Sequence, residues 1–116
     1  MKSGKMILAL PLVFMVALAN ANDDIVLVAE PAQTYVCQDG KSVTAQYFNN
    51  TEKTISLVKL TMATEARFLP SIVSGSGSRY TDERDIEWWL KGDEASLNYD
   101  LHSDDASKTT LCSIKP

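Results

Sequence analysis

Short stretches in which apolar and polar residues alternate recur along most of this chain, with turn-forming residues between them. The clearest covers residues 42–48, where Val43, Ala45 and Tyr47 share one face. Side chains of a β-strand point alternately to opposite sides, so a period of two predicts a strand with one buried face. The pattern contains no long segment with the 3.6-residue period of a helix. The chain is therefore expected to form an all-β antiparallel domain.

Five other segments share this strand-like composition and are bounded by turn formers such as Asp39-Gly40. They are residues 33–37, 55–60, 86–90, 95–101 and 109–114. Residues 61–69 are compatible with a helical turn or with a strand, and the alternation on both sides favours a strand that Pro70 closes. Residues 22–31 either add an edge strand or remain loose.

The first residues have the features of an export signal. Two lysines precede an apolar run over residues 6–18, and the small residues ending at Ala21 fit a cleavage site. The run is shorter than the roughly 20 residues needed to cross a bilayer. We therefore expect residues 1–21 to be a cleaved signal peptide and residues 22–116 to be one mature domain. Because Asn22 stands where a lipoprotein needs a cysteine, we expect a periplasmic protein without a membrane anchor.

The mature domain is acidic. The whole chain has a formal charge of −4, and loss of the two leader lysines leaves 9 basic against 15 acidic residues, or −6. Nucleic-acid binding depends on basic side chains that neutralise phosphates, so the charge argues against it. Long-range attraction to a strongly basic protein partner would suit this charge, and simple solubility would explain it equally well.

The sequence contains two cysteines, Cys37 and Cys112. In an exported chain such a pair predicts one disulfide bond. A redox pair would normally have the two cysteines close together in the sequence. Since the sequence contains only one histidine in addition to these two cysteines, we expect no metal site. No cofactor motif is present.

Two composite segments lie about one hairpin apart. Residues 76–80 are Ser-Gly-Ser-Arg-Tyr, and residues 89–95 are Trp-Leu-Lys-Gly-Asp-Glu-Ala. One cysteine precedes the two segments and the other follows them. This arrangement resembles the bacterial proteinaceous inhibitors of c-type lysozyme, a family with membrane-bound and periplasmic forms (MliC/PliC). The missing lipidation cysteine favours the periplasmic branch. The resemblance implies a single small antiparallel barrel of about eight strands.

The resemblance also implies roles for four residues. Ser76, on a glycine-rich loop, would hydrogen-bond a catalytic carboxylate of lysozyme, and Gly75 and Gly77 would let that loop enter a narrow cleft. Lys91, at a hairpin tip, would project its ammonium group between the catalytic carboxyl groups. Residue types alone favour a different interpretation, in which Ser76 is an ordinary turn residue and Lys91 only keeps the hairpin tip solvated. The implied partner is a basic c-type lysozyme. A host enzyme is the expected source, and blocking it would serve evasion of host defence; the alternative is an enzyme of the bacterium's own wall metabolism.

Two neighbouring residues allow a structural or a contact role. Arg79 and Tyr80 belong to types that are enriched at binding hot spots. The structural alternative places Tyr80 in the barrel interior and pairs Arg79 with Asp93 or Glu94.

The chain departs from the family pattern in two places. The polar turn at residues 81–85 is about one residue longer than usual, which changes the sequence separation of Ser76 and Lys91. A second tryptophan, Trp88, precedes the motif tryptophan. Neighbouring strand residues face opposite ways, and we expect Trp89 to be the one in the core.

Other functions fit the sequence less well. The only histidine, His102, lies in a polar loop, and Asp104-Asp105 is typical of a solvated loop, so catalysis is not expected. A periplasmic β-barrel that binds a small ligand is the alternative function. The sequence leaves open whether the domain forms a homodimer.

Overall fold

The computed structural model describes residues 25–116, and in this part of the chain nine β-strands account for the regular structure apart from a 3-10 turn at Ala106–Lys108. The strands are β1 Leu27–Ala29, β2 Gln33–Cys37, β3 Ser42–Asn50, β4 Ser56–Thr61, β5 Ala66–Ile72, β6 Ser78–Thr81, β7 Glu87–Lys91, β8 Glu94–Asn98 and β9 Thr109–Ile114. The predicted signal peptide and its cleavage point lie outside the described residues. Within residues 25–116 there is no helix with the length and apolarity needed to cross a membrane.

The strands close into a barrel. Neighbours pair in the order β3-β2-β9-β8-β7-β6-β5-β4, and β4 pairs again with β3, so eight antiparallel strands form a ring. The ninth strand, β1, lies beside the end of β3, where it pairs with residues 48–50, while β2 pairs with residues 42–45 on the same edge. The predicted all-β antiparallel barrel of about eight strands is confirmed, and residues 27–29 form the edge strand that was one of two alternatives.

One predicted strand boundary is wrong. The strand expected within residues 61–69 starts at Ala66 and continues through Pro70 to Ile72. On its β6 side, pairing is confined to Ser71 and Ile72. A proline is tolerated in a strand where a ladder partner is missing on one side, so Pro70 does not end β5.

Side chains fill the interior of the barrel. The largest ones with almost no exposure are Trp88, Tyr35, Leu60, Leu69, Leu97, Val43 and Val58. The Trp88 ring meets the Tyr35 ring edge-on with centroids 4.9 Å apart, and its Nε1–H donates to the Tyr47 hydroxyl at 2.9 Å. Such packing leaves little room for a ligand inside the barrel.

The expectation that Trp89 is the core tryptophan is wrong, because Trp88 is fully buried and Trp89 is half-buried. The strand register explains why Trp88 is the buried tryptophan. Trp88 lies opposite Tyr80 on β6 and Leu97 on β8, and both of these side chains are buried. Trp89 must then face outward from the barrel.

The disulfide prediction is confirmed. Cys37 and Cys112 lie directly opposite each other on β2 and β9, and they form a disulfide between residues 75 positions apart. Both are buried. The bond therefore joins the first strand of the ring to the last.

Replacing Tyr47 with phenylalanine is expected to lower the free energy of unfolding by about 1–3 kcal/mol, because the buried Trp88 N–H would lose its acceptor. Burial of this phenol also raises its pKa, as expected for a hydroxyl that stays neutral in the interior. Urea or thermal unfolding measures the effect. Tyr99→Phe is the control, since the Tyr99 phenol is exposed and, within residues 25–116, donates to the Ser107 carbonyl alone. Equal stability of the two variants would show that the Tyr47 hydroxyl is dispensable.

Candidate functional site

Two exposed turns lie side by side at one end of the barrel. Residues 73–77 connect β5 to β6, and residues 92–93 connect β7 to β8. Strands β6 and β7 are adjacent, and Ser78 at the start of β6 lies opposite Leu90 near the end of β7. The end of the first turn therefore lies beside the end of β7. The structure thus brings Ser76 and Lys91 to the same end of the barrel, and both are exposed.

Gly77 is where the first turn touches β7. Its φ of +66° lies in the region that favours glycine. A Cβ at this position would overlap the Leu90 carbonyl oxygen and come within 2.9 Å of Lys91 Cγ. The backbone of the Ser76 turn therefore lies directly against the stem of Lys91. Gly75, in contrast, has open space where a Cβ would be, so the two glycines have different structural roles.

Trp89 connects the two turns on the outer face of the barrel. Its Nε1–H donates to the Ser76 carbonyl oxygen at 2.8 Å, and the Lys91 ammonium lies 4.5 Å from the centre of its ring. The Ser74 hydroxyl adds bonds to the carbonyl oxygens of Ser76 and Gly77, at 2.8 and 3.2 Å. These contacts hold the backbone of the turn. Among the described residues, the hydroxyl of Ser76 itself takes part in no hydrogen bond, which leaves it available to a partner.

Arg79 is held by a different acid than expected. It forms an ion pair with Glu87, instead of Asp93 or Glu94, through Nε and a terminal nitrogen. Arg79 lies opposite Trp89 in the β6–β7 ladder, so Glu87, two residues before Trp89, is its diagonal neighbour on the outer face. The guanidinium also lies 5.4 Å from the Trp89 ring centre.

Tyr80 lies in the core. Its side chain is 6% exposed, and its ring packs against Tyr47 with centroids 5.5 Å apart. This position favours the structural alternative for Tyr80 over direct contact with a partner.

The long polar turn between β6 and β7 does not disturb the site. All four pairs from Ser78–Leu90 to Thr81–Glu87 remain in register, so the extra residue is absorbed beyond them, at the opposite end of the barrel. There the Asp82 carboxylate accepts three backbone N–H groups, from residues 84, 85 and 86. Partial burial would raise the pKa of Asp82, but these hydrogen bonds outweigh it and hold the pKa below its usual value.

The end of the barrel opposite the two turns carries an open groove of about 520 Å³. Its floor includes the core residues Val43 and Leu97, and its walls include Met62 and Tyr99. Because the interior below this floor is filled, the groove does not continue into a barrel cavity.

Replacing Gly77 with alanine is expected to destabilise the domain by at least about 1 kcal/mol, the usual cost of a left-handed residue with a Cβ. Since the added methyl would also overlap Leu90, the Ser76 turn should move away from β7. Unfolding curves and amide chemical shifts of residues 74–78 test both effects. Gly75→Ala is the matched control and should leave stability within about 0.5 kcal/mol of the parent. Equal behaviour of the two variants would contradict the close approach at Gly77.

The fold and this end of the molecule define a class: a small closed β-barrel, crosslinked by one disulfide, that presents a hydroxyl and an ammonium group from adjoining turns. A family model described as membrane-bound lysozyme-inhibitor of c-type lysozyme matches residues 35–105, a span that includes both turns. The chain belongs to this family.

Two relatives support the assignment. The chain is 31% identical over 86 residues to a membrane-bound lysozyme inhibitor of C-type lysozyme from Cupriavidus necator, which covers 73% of this chain and 66% of the relative. It is 30% identical over 78 residues to the protein of the same description from Pseudomonas aeruginosa, covering 67% of this chain and 60% of the relative. The matched part thus spans somewhat less than two thirds of each relative.

A solved structure has the same fold. It is the crystal structure of Pseudomonas aeruginosa MliC in complex with hen egg white lysozyme, with a TM-score of 0.62 and 24% identity. The match covers 92% of this chain and all of that chain. At this level of identity the likeness establishes the barrel architecture.

Proposed function

We propose that this protein is an inhibitor of c-type lysozyme, not an enzyme, and that it acts by inserting the turns of Ser76 and Lys91 into the active-site cleft of lysozyme. The observation that carries the proposal is the convergence of the two turns. Residues 15 positions apart in the sequence are brought to one end of the barrel, and the backbone of Gly77, next to Ser76, lies against the Lys91 stem. The family, and a relative of the same fold in complex with hen egg white lysozyme, support this choice of partner.

The chemistry of the target explains why a hydroxyl and an ammonium group would suffice. A c-type lysozyme hydrolyses its substrate with two carboxyl groups, one of which is kept protonated by an apolar pocket. An ammonium group placed between them would make charge-assisted hydrogen bonds to both. It would also favour the ionised form of the general acid. The inhibitor would then occupy the substrate site and remove the proton that catalysis needs.

The charge of the domain suits this partner. Lys91 is followed by exposed Asp93 and Glu94, so the positive tip lies beside acidic groups. The domain after residue 21 carries a formal charge of −6, and a host lysozyme is expected to be basic. Complementary charge accelerates association, so the association rate constant should fall as salt concentration rises.

The proposed location follows from the N-terminal sequence. We propose that residues 1–21 are removed on export and that the domain of residues 22–116 acts in the periplasm. The relatives carry a membrane-bound description, whereas Asn22 stands at the place where a lipid anchor would need a cysteine. The host enzyme would then be met after it has entered the envelope.

A direct assay tests the function. Purified residues 22–116 are titrated into hen lysozyme while lysis of a cell-wall suspension is followed, and complex formation is measured separately by calorimetry. We expect lysis to stop at a fixed molar ratio that matches the calorimetric stoichiometry. Full lysis at a large excess of the domain, with no heat of binding, would refute the proposal.

A further inference from the structure

We infer that Trp89 is a positioning residue that holds Ser76 and Lys91 in one fixed arrangement before any partner arrives. This inference rests on the proposed function and goes beyond it, because Trp89 need not touch the partner for the effect. A half-buried tryptophan on the outer face of a barrel has no part in the core. Its contacts in the structure include the backbone of the Ser76 turn and the ammonium group of Lys91.

The first contact fixes the Ser76 turn. The turn begins outside the ladder, since β5 ends at Ile72 and β6 begins at Ser78. The indole N–H bonds the Ser76 carbonyl at 2.8 Å and ties the turn to β7. The Ser74 hydroxyl bonds the same carbonyl, but Ser74 belongs to the turn itself. Among the described residues, Trp89 is therefore the side chain outside the turn that anchors Ser76.

The second contact fixes Lys91. A lysine at the end of a strand normally samples many rotamers. Here its ammonium lies 4.5 Å from the centre of the Trp89 ring, within the range of a cation–π interaction. The same ring thus limits the positions of the ammonium and of the Ser76 backbone.

The ring is itself held in place. Arg79 lies opposite Trp89 on β6 and places its guanidinium 5.4 Å from the ring centre. Glu87 in turn holds Arg79 through an ion pair. The outer face of β6 and β7 therefore carries a continuous series, Glu87, Arg79, Trp89 and Lys91, with the Ser76 turn attached to its tryptophan.

The consequence concerns the cost of binding. Immobilising flexible groups on binding reduces affinity, and groups that are ordered beforehand avoid this loss. If the Ser76 hydroxyl and the Lys91 ammonium must both reach carboxyl groups in one cleft, their relative position decides the affinity. Trp89 sets that position although it supplies neither of the two groups.

Two substitutions separate the contributions of the indole. Trp89→Phe keeps an aromatic face for Lys91 and removes the N–H donor, whereas Trp89→Leu removes both. In the free domain, Trp89→Phe should lower the backbone NMR order parameters of residues 74–78 without lowering them in the strands. Its affinity for hen lysozyme should fall about fivefold to tenfold, as expected for one lost hydrogen bond. Trp89→Leu should lose more.

A matched control is available on another face. Phe68 on β5 is also an exposed aromatic residue with a lysine ammonium, that of Lys59, over its ring at 5.8 Å. Phe68→Leu should leave both the order parameters of residues 74–78 and the affinity unchanged. If Phe68→Leu lowered the affinity as much as Trp89→Leu, the effect would come from a general loss of surface aromatic packing, and the inference would be overturned.

The outcomes keep this inference distinct from the proposed function. Unchanged order parameters of residues 74–78 in Trp89→Phe overturn the positioning role, whatever happens to inhibition. Lowered order parameters with unchanged affinity also overturn it, because the ordering would then not serve binding. If the wild-type domain fails to bind lysozyme at all, the proposed function and this inference both fail. If binding persists without Ser76 and Lys91, the two-turn contact fails, and this inference fails with it, because Trp89 could then not affect binding through those two groups.

Discussion

Replacing both Ser76 and Lys91 with alanine is expected to weaken binding to c-type lysozyme by at least about a hundredfold, because hydrogen bonds to charged groups contribute roughly 1.5–3 kcal/mol each. Both side chains are exposed in the free domain, and Ser76 lies outside the ladder, so the variant should unfold at nearly the same temperature as the parent. The measurement is the dissociation constant by calorimetry, together with the concentration that halves cell-wall lysis. Each single substitution should lose part of the affinity.

The control for this variant removes the same two groups elsewhere. Ser42→Ala with Lys41→Ala deletes one hydroxyl and one positive charge, and both residues are exposed at the β2–β3 hairpin, at the opposite end of the barrel. This pair should retain nearly full potency. If the Ser76, Lys91 variant inhibits as well as the control, the two-turn mechanism is wrong even though inhibition itself is real.

Removing the disulfide by replacing Cys37 and Cys112 with alanine is expected to lower the free energy of unfolding by about 4 kcal/mol, the value of the chain-entropy model for a loop of this length. The bond joins β2 to β9 where the two cysteines are directly paired, across a separation of 75 residues. A domain of this size has a total stability of about 5–15 kcal/mol. At the lower limit of this range the variant would keep only about 1 kcal/mol, so roughly one molecule in six would be unfolded.

Urea unfolding of the variant and of the reduced wild-type protein tests this prediction. The two should agree, since both lack the crosslink. If the free energy of unfolding fell by less than about 1 kcal/mol in both proteins, the pairing of β2 with β9 would be stable without the disulfide bond. A large loss in the variant alone would instead indicate a packing defect at the two buried alanines.

The overall fold could be predicted because it depends on a local and repeated pattern. The alternation over residues 42–48 correctly placed Val43 and Ala45 on the buried face. The final strand was predicted at 109–114, and the structure has it at Thr109–Ile114. The number of strands and the closure of the barrel came from the family resemblance, because alternation carries no information about how many strands form a ring.

The orientation of the paired tryptophans could not be predicted in the same way. Trp88 and Trp89 are adjacent and equally apolar, so either phase of the alternation satisfies the local pattern. The choice is made by the neighbouring strands, which bring buried Tyr80 and Leu97 opposite Trp88. The ion pair of Arg79 with Glu87 was missed for the same reason. Cross-strand neighbours depend on the register, and the register of β6 with β7 is set by the turn at Asp82.

The residues of the candidate site could be named from the sequence, but their contacts with one another could not. The motifs named Ser76, Lys91 and Gly77, and the structure brings these three together. All three contact Trp89 because its indole points outward, whereas the sequence had predicted this indole in the core. A clue was present in the motif itself, since Trp89 and Lys91 are two residues apart and must share one face of a strand.

The position of the long β6–β7 turn has a practical consequence. It lies at the far end from Ser76 and Lys91, and the register of the hairpin between them is intact. Glu83 and Arg84 at its tip are exposed. A fluorophore or a surface linker attached there would leave the opposite end free, so the domain could be immobilised in a single orientation with both contact turns presented to the solution.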